Sequence, residues 1–169
     1  DHMQKLLNFG IDGMEHCSLL DEETAALVIE KDAYIVPTFC PYEEAVHYDP
    51  VAILTKQPEY RMKLEYYKDA LQAGREVIKN CKCKLGFGTD FVATHMNYES
   101  GYEYKAWMES DMGGFRALHA ATKVNAEICQ MDDKIGTLEV GKLADIAAWK
   151  RDLLTDPLAL LDCAFVMKD

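Results

Sequence analysis

The chain has 169 residues, 49% of them hydrophobic and 28% charged, the make-up of an ordinary globular protein able to bury a core. A formal net charge of -11 argues against a nucleic-acid or anionic-membrane surface, because phosphates require a basic face. No apolar run approaches the roughly 20 residues that span a bilayer, and no charged-then-apolar leader opens the sequence, so a soluble, cytoplasmic protein is expected.

Met3-Gln4-Lys5-Leu6-Leu7 reads as the tail of a helix with Gly10 as its C-cap. A short strand follows over 11–16. Asp21-Glu22-Glu23-Thr24 opens the next helix, its acidic first turn suiting the positive end of the helix dipole. A second strand is expected over 34–39. The Pro- and Tyr-rich loop over 40–58 is longer than ordinary connections, and such loops in compact domains tend to be functional or mobile. A long helix over 59–79 carries Met62, Tyr66, Tyr67, Ala70, Leu71, Gly74, Val77 and Ile78 at three-to-four spacing. The third strand ends at Asp90, and a polar loop follows over 95–101. Helices fit 102–110 and 114–129. Beyond them lie a turn with paired glycines, Gly136 and Gly141, and an apolar strand over 144–149. Alternating strands and helices imply a parallel sheet joined by crossovers, with strands apolar on both faces. Both ends of the chain read as cut rather than finished.

Six cysteines raise the question of disulfides, but their spacing gives no framework. Cys17, Cys40, Cys129 and Cys163 are scattered among apolar neighbours, and Cys81-Lys82-Cys83 lacks the two-residue gap of common zinc or thioredoxin motifs. Reduced structural thiols are expected.

His16 and Asp90 carry the chemistry. Each ends an apolar strand, and parallel sheets place their chemistry at the carboxyl ends of strands. Imidazole and carboxylate are ligand types that hold a catalytic divalent metal. Taken alone, His16 could be a core histidine satisfied by backbone, and Asp90 a turn or N-cap residue. His95, Asn97 and Glu99 follow Asp90, where substrate contact competes with simple loop solvation. Tyr42 and His47 could line a site mouth, although nothing requires it. His119 and Tyr60, Tyr66 and Tyr67 read as packing residues, and Glu15 as an ordinary polar one. Gly86-Phe87-Gly88 lacks the third glycine and the Lys-Ser/Thr pair of a phosphate loop.

Gly13-Met14-Glu15-His16, Val36-Pro37-Thr38 and Gly86-Phe87-Gly88-Thr89-Asp90 resemble the sixth, seventh and eighth strands of the metal-dependent amidohydrolases. Ala120-Ala121-Thr122, Asn125-Ala126 and the stretch from Ile135 to Ile146 are similar to the family's carboxy-terminal signature, with the closest look to the imidazolonepropionase-like and Xaa-Pro dipeptidase-like branch. The resemblance implies an α/β fold: the last three strand-helix units of a TIM (β/α)8 barrel over 1–135, and part of a small β-rich extension over 136–169. It implies one or two divalent metals, expected to be zinc. His16 would bind the second metal or hydrogen-bond substrate or water. Asp90 would be both metal ligand and acceptor of the attacking water's proton, with His95 and Asn97 as substrate contacts. The substrate would be a small amide or dipeptide.

The departures matter equally. The family's His-x-His pair, its lysine or glutamate, and its further histidine have no counterpart, since no two histidines here are separated by one residue. Catalytic zinc usually takes about three protein ligands plus water, so this chain alone is expected to bind metal weakly and hydrolyse nothing. Exposed sheet edges imply self-association or pairing with the missing amino-terminal portion. Two alternatives stand beside the enzyme fragment: a non-catalytic α/β interaction module, and one chain of a split amidohydrolase.

Overall fold

The computed structural model describes residues 2–41, 58–90 and 101–169. It forms two compact units, Asp1–Met96 and Asn97–Asp169, so the 135/136 boundary read from the sequence falls inside the second.

In the first unit, α1 (His2–Asn8) leads to β1 (Gly13–Glu15), α2 (Glu22–Glu30), β2 (Tyr34–Val36), α3 (Pro58–Asn80) and β3 (Lys84–Leu85). The strands form one sheet in the order β1-β2-β3, and both pairings are parallel. Parallel neighbours need a crossover, which α2 and α3 supply. Register sets Met14 against Ile35 and Ile35 against Leu85. Ile35, Val36 and Leu85 are buried, as are Leu7, Val28 and Ile78 on the helices. Each such side chain contributes roughly 1.5–3 kcal/mol by leaving water. Asp21 caps α2 by accepting the Thr24 N–H at 2.7 Å, and the Thr24 contacts hold its carboxyl below the usual carboxylate range. The Thr24 hydroxyl in turn accepts from Gln4 Nε2 at 3.2 Å, tying α1 to α2.

The strands are shorter than the sequence implied. Pro37 has no N–H to offer a ladder, and β2 stops at Val36. β1 stops before His16, whose left-handed backbone cannot extend it. On α3, Gly74 and Ile78 of the expected apolar face are buried. Met62 and Tyr66 are not: they are 74% and 81% exposed, and Tyr66 stands edge-on to Tyr67. The expectation that Tyr66 and Tyr67 pack is corrected accordingly, while the side chain of Tyr60 lies outside those described. That helix passes close to the Ser18 backbone at Gly74, where a Cβ would lie 2.2 Å from the Ser18 carbonyl oxygen.

The second unit contains α4 (Tyr102–Glu109), α5 (Gly114–His119), a π turn (Ala120–Val124), α6 (Asn125–Ile128), β4 (Ile146–Trp149), a 3₁₀ turn (Ala159–Leu161) and β5 (Cys163–Met167). Trp107 and Tyr104 are fully buried. The Trp107 indole N–H donates to the Glu103 carboxylate at 2.8 Å, and the Tyr104 hydroxyl donates to the Leu153 carbonyl. Burial pushes the Tyr104 phenol up, with Asp152 and Asp156 adding to the rise. The helix expected over 114–129 runs continuously but widens at 120–124, where the Thr122 hydroxyl donates to the Leu118 carbonyl at 2.7 Å. β4 and β5 pair antiparallel, and every residue of β5 is exposed. None of the six cysteines forms a disulfide; Cys129 and Cys163 are exposed. Among the described residues no helix is long and apolar enough to cross a membrane.

Candidate functional site

The first unit brings His16 and Asp90 together. β1 and β3 are the outer strands of the sheet, separated by β2, so their backbones stand about two strand spacings, or ~9–10 Å, apart. The side chains nevertheless meet, with His16 Nε2 3.7 Å from Asp90 Oδ2. Local turns make this possible. The His16 N–H still donates to the Val36 carbonyl at 2.9 Å, as a further rung of the ladder, while the Cys17 N–H bonds back to the Glu15 carbonyl at 2.8 Å. That closes a three-residue turn on His16, whose φ is +65°. Asp90 also lies in the left-handed region, at φ +44°. Such backbone costs non-glycine residues of order 1–3 kcal/mol and clusters at functional sites.

The interval between the outer strands is spanned by the segment after β2. His16 Nδ1 and Thr38 Oγ1 are 2.7 Å apart, and the Cys40 thiol donates to the Thr89 carbonyl at 2.9 Å, beside Asp90. Gly88 permits this approach, since a Cβ there would stand 2.7 Å from Val36 Cγ1. That close packing, rather than a phosphate cradle, accounts for the second glycine of Gly86-Phe87-Gly88. The sequence marked Thr38 as strand and Cys40 as the start of a loop; Val36-Pro37-Thr38 was the available signal.

The imidazole and carboxylate are 46% and 52% exposed. An ion pair so open to water is worth ~0–1 kcal/mol, less than the strain of the two backbones that present it. Local stability therefore does not account for the geometry. Glu15 is exposed. Cys17, directly after His16, is buried, and desolvation with the Glu15 charge pushes its thiol up to about 11, which leaves it protonated and unreactive near neutrality.

As a metal centre the pair is partial. Two ligands of one tetrahedral zinc at bond lengths of ~2.0–2.2 Å stand roughly 3.3–3.6 Å apart, near the observed 3.7 Å. One imidazole nitrogen and one carboxylate oxygen are suitable donors, so these residues fit part of such a shell. Among the described residues no group of three or more His, Cys, Asp or Glu side chains gathers to complete it. His95, Asn97, Glu99, Tyr42 and His47 lie outside the described residues. His119 belongs to the second unit, exposed and stacked on Phe115 with ring centroids 6.0 Å apart.

The amidohydrolase family model matches residues 2–169, and the chain belongs to that family. Solved structures agree. The chain is 29% identical to an amidohydrolase crystal structure with a TM-score of 0.80, the match covering 98% of this chain and 40% of that one. A Xaa-Pro dipeptidase with methionine bound in its active site gives 29% identity and a TM-score of 0.82 over 98% and 40%. A prolidase complexed with N-methylphosphonate-L-proline gives 26% and 0.78 over 98% and 41%. This chain thus spans about two fifths of the length of these structures. No curated protein shows a significant match to it.

Proposed function

We propose that this chain is the carboxyl-terminal, metal-holding part of an amidohydrolase that cleaves a small amide or dipeptide at its carbon–nitrogen bond. Its three parallel strands would be the last three staves of a (β/α)8 barrel. The observation that carries the reading is the meeting of His16 and Asp90 across an intervening strand, on strained backbone, at the carboxyl end of a parallel sheet. The similar structures of a Xaa-Pro dipeptidase and a prolidase support a dipeptide-like substrate.

His16 Nε2 and one Asp90 oxygen would hold the ion, expected to be zinc from its nitrogen and oxygen donors. When bound, that ion lowers the pKa of a water to near ~7. The second Asp90 oxygen accepts the proton of the attacking water and returns it to the departing nitrogen. Where a single metal lies elsewhere in the site, the His16 imidazole instead hydrogen-bonds substrate or water.

The test compares the chain alone with the chain supplied with a polypeptide bearing a His-x-His strand. Zinc is measured by equilibrium titration, and hydrolysis on a panel of dipeptides and N-acyl amino acids. Weak zinc binding and no turnover are expected alone. With the complement, hydrolysis is expected, abolished by chelator and lowered at least ~100-fold by Asp90→Asn. Zinc binding indifferent to His16→Ala and Asp90→Ala, with no turnover in either mixture, would leave the non-catalytic module as the reading.

A further inference from the structure

We infer that Thr38, from the segment that follows β2, is a positioning residue that locks the His16 ring with Nε2 facing Asp90. This deepens the metal-site reading and rests on it. The imidazole is otherwise poorly confined: its side chain is 46% exposed, and on its Nε2 side stands Asp90, itself 52% exposed. A histidine ring turns about a broad, roughly two-fold torsion, so neither sterics nor the open ion pair fixes which nitrogen faces the carboxylate. Thr38 does. It is 4% exposed, and Oγ1 lies 2.7 Å from Nδ1. A buried hydroxyl stripped of its partner is costly, and turning the ring over would place carbon where Nδ1 now stands.

The hydroxyl also suits every protonation state of the ring, because it can both donate and accept. It donates to an unprotonated Nδ1 and accepts from a protonated one. With a metal on Nε2, Nδ1 must carry the proton and donate to Oγ1, the arrangement by which metal-binding imidazoles are generally oriented. Pro37 stiffens the segment that delivers the hydroxyl, its φ fixed by the ring.

The experiment compares wild type, Thr38→Ser and Thr38→Val by ¹³C relaxation of the His16 ring carbons, with zinc titration in parallel. Val keeps the branched shape and removes only the hydroxyl; Ser keeps the hydroxyl. Expected are a rigid ring in wild type and Ser, and an order parameter below about 0.6 in Val, with zinc affinity ~10–100-fold weaker in Val alone. Should Thr38→Val fail to fold by its amide spectrum, Thr38→Ala gives the same comparison. Ring order indifferent to the hydroxyl overturns the inference, whatever zinc does. Ring order that depends on it in a wild-type chain that binds no zinc even with the His-x-His polypeptide upholds the role of Thr38 and removes the metal reading instead.

Discussion

At Cys17, burial sets the chemistry of the thiol. A thiol pushed up to about 11 from an ordinary value near 9.0 is deprotonated only to about one part in a thousand at pH 8. Alkylation there is therefore expected to modify exposed Cys129 and Cys163 at least ~10-fold faster than Cys17, as mass spectrometry of a time course would show. The same shift is linked to stability. The folded state holds its proton more tightly than the unfolded one, so the contribution is complete below pH 9 and is lost as pH rises from 9 to 11. Urea midpoints in that window should fall by the equivalent of about 2–3 kcal/mol in wild type and by less in Cys17→Ala. Asp21 gives the opposite sign. Its carboxyl is depressed by Thr24, so the cap is intact above about pH 4 and weakens as pH falls. Asp21→Ala should cost about 1 kcal/mol at pH 7, read from the urea midpoint. The Asp21 cap was legible in the sequence because residue type and neighbours suffice for it, whereas the roles given to His16 and Asp90 came from strand ends and a family resemblance and belong to the proposal. Thr38 was not legible, since a threonine after a proline gives no sign that an imidazole 22 positions earlier will turn towards it.

At the scale of elements, α3 provides the clearest conflict between propensity and packing. Gly→Ala inside a helix ordinarily stabilises by about 1 kcal/mol. At Gly74 the new methyl would meet the Ser18 carbonyl oxygen at 2.2 Å, a backbone atom that cannot swing aside. Gly74→Ala is thus expected to destabilise by ~1–3 kcal/mol in urea unfolding, against the propensity sign. Element order and type were readable from hydrophobic period for the alternating strands and α-helices, whereas the ends were not. Strand termini are decided by the left-handed turn at His16 and by Pro37, and only the proline is visible in sequence. The π turn at Ala120–Val124 was equally hidden: its residues fit a regular helix, and the widening coincides with a close approach of Gly136 to Ala126 and Thr122.

For the whole molecule, exposed apolar surface is the feature with consequences. β5 pairs only with β4 among the described residues, and Phe165, Val166 and Met167 are all exposed. An open strand edge with apolar side chains is a template for further pairing. Sedimentation at tens of micromolar is expected to show species above the 19.1 kDa monomer, shifted towards monomer by Val166→Lys. Membership in the α/β class was legible because alternating periodicities survive any tertiary detail; the division at Met96/Asn97 was not, because it depends on contacts distant in sequence. Left-handed backbone at non-glycine residues bears on this same global balance; His16 and Asp90 are two of the six such residues, with Cys17, Asp32, Asp111 and Gln130. Replacing Asp90 by glycine would release backbone strain and forfeit only a weak, open ion pair, so Asp90→Gly should raise the melting temperature by roughly 2–4 °C. The fold, in other words, is held slightly below the firmness it could reach, and part of that shortfall sits where an acid and an imidazole face each other.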